Sequence, residues 1–303
     1  MILAFNLTTF GQLTASGLAL GCLYALIALG FVIILKSSGM LSLYQGGFLL
    51  LGAYMTYQLH AKWGVNFVLA VLAVTIGIAA LGVMLEFAVV RRLRGSAAEF
   101  AVVLVTIGLL LATQSLVAAT WGYTPLNMDD PWGLKNVHLG SVAVSHRDIW
   151  VVVSTAVVLA VFFVLFKYSR IGIAMRAAAS DREAAYAQGI SPNLVMGVSW
   201  AIAGVLGALA GIALGTAAAG GVTVGLDQAA YAALTPVIVG GLISPAGAVI
   251  GGLVVGLAQL YASGYAPASF GDGFATVMPY IVLFIVLLIR PHGLLGKPEI
   301  RRA

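Results

Sequence analysis

Ionisable side chains are scarce in this chain, and their positions decide which chemistry is open to it. The 303 residues hold ten acids, fifteen lysines and arginines, four histidines and one cysteine. Acid–base catalysis needs such groups within hydrogen-bond reach of one another, and a proton relay needs them in file. Glu86 is the main acid inside an apolar stretch, and the Arg91–Arg92 pair just beyond it predicts an ion pair. Glu99 opens another apolar stretch, where a helix N-terminus favours negative charge. Asp227 and Asp272 fall between apolar stretches and read as outer-loop residues. His60, His138, His146 and His292 sit at stretch ends without ligand spacing on a common helix. Cys22 stands alone, which excludes an intrachain disulfide and a cysteine-rich metal site. No Ser/His/Asp constellation is readable, and no glycine-rich loop ends in Lys-Ser or Lys-Thr, so ATP is not held here in that way. Gly271-Asp272-Gly273 is one triplet among 37 glycines. The expectation is a chain that is not an enzyme and has no cofactor or metal.

Uncharged polar groups inside apolar stretches are the more promising set: Ser42, Tyr44, Gln45, Thr106, Thr113, Gln114, Thr235 and Gln259. Each either bonds a neighbouring helix or lines a path for a small polar or zwitterionic solute. Ser42-Leu43-Tyr44-Gln45-Gly46-Gly47 sets polar side chains beside glycines early in an apolar run, the pattern of an unwound helix start lining a cavity. Ser42, Tyr44, Gln45, Gln114 and Thr235 are therefore the candidate path residues.

A different chemistry gathers in residues 168–192. Ser180-Asp181-Arg182-Glu183-Ala184-Ala185-Tyr186-Ala187-Gln188-Gly189 offers Ser180 or Asp181 as a helix N-cap and Gly189 as its end. Pro192 then suits the first turn of the next apolar run. A short alanine-rich helix is predicted between two long ones.

The elements that hold these residues follow from composition. Hydrophobic residues make up 61% of the chain and charged residues only 8%, where a soluble domain carries about 25% charged. The solvent is then largely lipid, and backbone groups in lipid are satisfied only in helices or closed barrels. The apolar runs are long and do not alternate, which argues for helices over a barrel. Candidate spans are 11–35, 40–59, 65–90, 99–121, 148–167, 193–218, 229–243, 247–263 and 274–290. Pro236 and the Ser244–Pro245–Ala246–Gly247 turn interrupt the pair across 229–263, so one member is a re-entrant candidate and eight or nine membrane segments are expected. With nine spans and the N-terminus outside, the inner side receives Lys36, Arg91, Arg92, Arg94, Lys167, Arg170, Arg176, Arg182, Arg290, Lys297, Arg301 and Arg302, and the outer side only Lys62, Lys135 and Arg147. That bias is a topology signal, not a nucleic-acid footprint. Trp63, Trp121, Trp132 and Trp150 fall at outer span ends and suit an interfacial belt. The outer connection 122–147, with Pro125, Asp129, Asp130 and Pro131, reads as a solvated loop or a partner contact.

Three segments resemble the permeases of branched-chain amino acid (LIV-type) ABC transporters. The first runs from Leu23-Tyr24-Ala25-Leu26-Ile27-Ala28-Leu29-Gly30 through Gly39-Met40-Leu41-Ser42-Leu43-Tyr44-Gln45-Gly46 to Leu51-Gly52-Ala53-Tyr54. The second runs from Ala174-Met175-Arg176-Ala177 through Asp181-Arg182-Glu183-Ala184-Ala185 to Gly189-Ile190. The third joins Val239-Gly240-Gly241, Ser244-Pro245-Ala246-Gly247-Ala248 and Gly251-Gly252 to Arg290-Pro291-His292-Gly293-Leu294-Leu295-Gly296. The resemblance implies one permease domain over residues 1–303, an all-α polytopic bundle in the bacterial inner membrane with its C-terminus cytoplasmic. It implies a second permease subunit (the same or a sister chain), two cytoplasmic ABC ATPase subunits and an extracytoplasmic solute-binding protein. Loop 168–192 would carry the coupling helix, with Arg176, Asp181, Arg182, Glu183, Ala184, Ala185 and Gly189 meeting the ATPase. Ser42 and Tyr44 depart from the family's Gly-Met-x-Asn-Phe-Ala pattern, so the solute stays open among amino acids, urea, short amides and organic acids. The alternative reading is a passive channel for a small neutral solute.

Overall fold

The computed structural model describes residues 7–93, 98–129, 136–139, 142–217, 221–271 and 273–296. Arg94, Asp130, Pro131, Trp132, Lys135, Asp272, Lys297, Arg301 and Arg302 lie outside these. Twelve α-helices follow in order among the described residues: α1 (Leu7–Ser38), α2 (Gln45–Tyr57), α3 (Phe67–Ala88), α4 (Ala98–Trp121), α5 (His146–Tyr168), α6 (Arg170–Ser180), α7 (Arg182–Ala187), α8 (Pro192–Ala217), α9 (Gln228–Ala232), α10 (Leu234–Gly240), α11 (Pro245–Tyr265) and α12 (Phe274–Ile289). Among the described residues six helical runs are long and apolar enough to cross a membrane: 7–38, 67–93 (α3 with the 3₁₀ turn after it), 100–121, 146–168, 192–216 and 245–265. Val224–Gly240 and Phe274–Ile289 are apolar but shorter. The expected run 229–243 is thus two short helices, with Pro236 tolerated in the first turn of α10. The chain is not wholly helical: β1 (Asn136–Leu139) and β2 (Val142–Ser145) pair antiparallel within the 122–147 connection.

The chain divides into two compact units, one of Met1–Leu29, Asp130–Thr155 and Tyr231–Ala303, the other of Gly30–Asp129 and Ala156–Ala230. In the second unit α2 is the core. Eleven of its thirteen residues are buried, as expected of a helix apolar on every side. It extends through a π-helical turn, Gln58–Lys62. On α3 the buried residues Ala70, Val74, Ile78, Gly82 and Leu85 recur at helical spacing. Val68, Leu69, Leu72, Ile76 and Met84 on its other faces are exposed and just as apolar. A helix with an apolar outer face is matched to lipid or to another apolar surface, not to water.

Close packing in this unit depends on small residues. A Cβ on Gly211 of α8 would stand 2.0 Å from the Leu49 carbonyl oxygen of α2. A Cβ on Gly82 of α3 would stand 2.5 Å from the Trp200 carbonyl oxygen of α8. In lipid, where burial between helices gains no hydrophobic free energy, such backbone approach supplies the dispersion contact that holds helices together.

In the first unit α1 meets α11 the same way, with Gly21 against Leu253 and Gly256 against the Gly21 backbone. The Tyr24 hydroxyl donates to Gln259 Oε1 at 2.8 Å, so Gln259 is spent on helix packing. Ser244 caps α11 by accepting from the Gly247 N–H, and Pro245 opens its first turn. The Leu294 and Leu295 N–H groups donate to the carbonyls of Val239 (2.8 Å) and Gly240 (3.0 Å). The Arg290–Gly296 segment thereby satisfies the terminal acceptors of α10, which otherwise lack partners.

Candidate functional site

The site begins where α1 stops. The hydroxyls of Ser37 and Ser38 turn back onto the Ile34 carbonyl at 3.0 and 2.7 Å, and Gly39 follows at φ 70°, a left-handed value that glycine adopts freely. Residues 39–44 are then irregular until α2 starts at Gln45. Such backbone is tolerated at membrane depth only where protein satisfies it. Here Thr106 of α4 does so, its Oγ1 accepting from the Leu43 N–H at 3.1 Å. Ser42 Oγ accepts from the Tyr44 N–H at 3.4 Å.

Ser42, Tyr44 and Gln45 are 2%, 3% and 1% exposed, so the cluster is occluded in this conformation. The Tyr44 ring lies over Gly47, where an added Cβ would meet it at 2.6 Å. Its hydroxyl shares a 2.9 Å hydrogen bond with Thr113 of α4. Tyr44 packs edge-on to Phe48, and Phe48 edge-on to Trp200. Gln45 Nε2 donates to the Ala203 carbonyl at 3.1 Å. The amide fills a notch left by Gly30 and Gly207, whose added Cβ atoms would stand 2.2 and 3.0 Å from Nε2. Gln45 Oε1 is buried and has no hydrogen-bond partner among the described residues, a state that costs about 1–3 kcal/mol.

Gln114, next to Thr113 on α4, donates through Nε2 to the Asp227 carboxylate. Asp227 is 3% exposed, although it lies in the connection between α8 and α9. It closes the 3₁₀ turn Val224–Asp227, and its Cβ would contact one added to Gly46 in the first turn of α2 at 3.3 Å. Seven residues separate Gln114 from Trp121 at the end of α4, which sets the pair roughly 10 Å below that end. No cation among the described residues lies within salt-bridge distance of Asp227. Glu86, fully buried on α3, pairs instead with Arg91 at 2.8 Å, as its sequence position predicts. Beside Asp227 lies a cavity of about 300 Å³ walled by Gln114, Ser115, Tyr123, Gln228 and the Val224–Gly225 turn. A larger one of about 390 Å³, near Val161, Leu165, Met175 and Val205, is almost wholly apolar and offers a polar solute nothing.

Ser42, Tyr44, Gln45 and Gln114 therefore gather around the first turn of α2 in one unit. Thr235 is buried in α10 of the other unit. Asp227 is the residue that sequence reasoning set aside.

Residues 168–192 hold two helices where one was expected. Ser169 caps α6 by accepting from the Gly172 N–H at 3.0 Å. The Arg176 guanidinium of α6 donates to the Phe166 carbonyl and, at 3.1 Å, to that of Lys167. It closes the C-terminus of α5, where a cation is favoured. Asp181, rather than Ser180, caps α7 through the Ala184 N–H at 3.0 Å. Glu183 and Ala184 are exposed and Ala185 is buried. Gly189 ends the turn at φ +87° with open space around it, and α8 opens on Pro192.

Residues 13–290 match the family described as "Branched-chain amino acid transport system / permease component". The chain is 31% identical to the high-affinity branched-chain amino acid transport system permease protein LivH of Escherichia coli K12, over 97% of each chain. It is 29% identical to the corresponding permease protein BraD of Pseudomonas aeruginosa, over 96% of this chain and 97% of BraD. It is 26% identical to the probable LivH of Methanocaldococcus jannaschii, over 90% and 89%. A match of that extent, on a multi-pass helical chain with polar groups gathered inside it, is decisive: the chain belongs to the permease component family of branched-chain amino acid transport systems.

Proposed function

We propose that this chain is the permease subunit of an ABC importer that moves a small polar organic solute across the bacterial inner membrane by alternating access. The solute is amino acid-like, an amide or an organic acid. The observation that supports this most is the buried, uncharged polar cluster at the interrupted start of α2, held between α4 and α8. Its groups are bonded to neighbouring helices now, and Gln45 Oε1 is free to take a donor when those helices part. The basic bias supports an outside N-terminus and a cytoplasmic C-terminus, and α2, the Val224–Gly240 helices and α12 would bring the six long spans to nine membrane segments, or eight if Val224–Gly240 is re-entrant.

On that orientation α6 and α7 face the cytoplasm. Asp181, Arg182, Glu183, Ala184, Ala185 and Gly189 form the coupling element, in which small residues seat the helix and charges fix its register. Arg176 holds α6 to the end of α5, so movement of the pair is transmitted to that span. The partners are a second permease subunit, two cytoplasmic ABC ATPases and an extracytoplasmic solute-binding protein. Affinity purification of the chain from native membranes tests the assignment. Recovery of an ABC ATPase in stoichiometric amount is expected, and recovery of the chain without any ATPase contradicts it.

A further inference from the structure

Asp227 presents a problem that the transport reading leaves open. Its carboxylate is 3% exposed, and among the described residues its partners are the neutral amide of Gln114 and the backbone N–H groups of Asp227 and Gln228, none of which carries a positive charge. A buried ion without a countercharge is expensive, and ionisable groups inside a membrane-helix bundle mark solute or ion pathways. Glu86 shows the contrast within the same unit, since Arg91 neutralises it. The cavity beside Asp227 carries hydrogen-bonding groups from Gln114, Ser115, Tyr123 and Gln228 and, among the described residues, no basic side chain. Its volume of about 300 Å³ is at the lower end of small-ligand sites.

We propose that this cavity is a solute subsite in which Asp227 receives a primary ammonium group. The solute's cation supplies the missing countercharge. Gln114 keeps one carboxylate oxygen in place with its N–H, and its own carbonyl, with that of Gln228, is an acceptor for the remaining ammonium hydrogens. The first turn of α2 supports the subsite from behind, because Gly46 lets Asp227 approach that helix closely. The inference rests on the importer reading and narrows it: amino acids and amines fit, and organic acids without an ammonium group do not.

Methylammonium is the minimal probe. The purified wild-type transporter complex is heated in methylammonium chloride and in sodium chloride of equal ionic strength. The expected result is a higher unfolding midpoint in methylammonium alone, lost in Asp227→Asn and partly kept in Asp227→Glu. In proteoliposomes holding the complete system, Asp227→Asn is expected to lower L-valine uptake at least tenfold. Equal midpoints in the two salts for the wild type overturn the proposal, even if Asp227→Asn fails to fold. Wild-type uptake by Asp227→Asn overturns it as well. Neither result touches the importer reading, which fails only if no ATPase accompanies the chain.

Discussion

Tyr44 is a packing residue at the start of α2 and the side chain through which the proposed path is tested. Its ring occupies the space that Gly47 leaves, and its hydroxyl meets Thr113. Thr113 also donates to the Leu109 carbonyl, so removing the phenol oxygen strands no buried donor. Tyr44→Phe is therefore expected to cost only about 0.5–1.5 kcal/mol, to insert and fold normally, and to change uptake rate or solute preference. Wild-type uptake of every solute tested would reduce Tyr44 to a packing residue. The Ser42–Gly47 cluster was legible because polar groups beside glycines are conspicuous in an apolar run. Asp227 was not, because an exposed loop residue and the last residue of a buried turn look alike in sequence. Only the packing of Gly46 and Gln114 against it reveals the difference.

At the scale of elements, sequence reading found the long spans because apolar length in lipid leaves little choice. It missed the β1–β2 hairpin, whose four-residue strands carry too little pattern to register. It also merged α6 with the connection that precedes α7, since α6 begins two residues after α5 ends. The α8 glycines were visible as composition, but their role depends on which carbonyl each one faces. Gly211→Ala sets a Cβ 2.0 Å from the Leu49 oxygen, and overpacking of this kind costs about 1–3 kcal/mol. A lower unfolding midpoint in detergent is the expected outcome, and an unchanged midpoint would show that α2 and α8 yield freely. For α7, Gly189→Leu forces a side chain into a left-handed backbone, and Glu183→Ala removes an exposed charge next to the cap. Both are expected to lower solute-stimulated ATP hydrolysis and transport together while insertion is unchanged. Full activity in both would remove the coupling role from this loop.

For the whole molecule, orientation and energy source carry the function. A single cysteine at Ser180, after Cys22 is replaced, is expected to resist impermeant reagents in intact cells and to react in inside-out vesicles. Labelling from outside would invert the topology and move the Asp227 cavity to the cytoplasmic side. Net charge alone gave no function, and its distribution along the chain motivates the proposed orientation in which α7 faces the cytoplasm. The energy source is what separates an importer from a pore. Proteoliposomes holding the chain with its permease partner, ATPases and binding protein decide it by the concentration of labelled L-valine reached inside. The expected result is accumulation above the external concentration only when ATP is supplied to the ATPase side. Equilibration to the external concentration without ATP would contradict an importer and establish a passive channel.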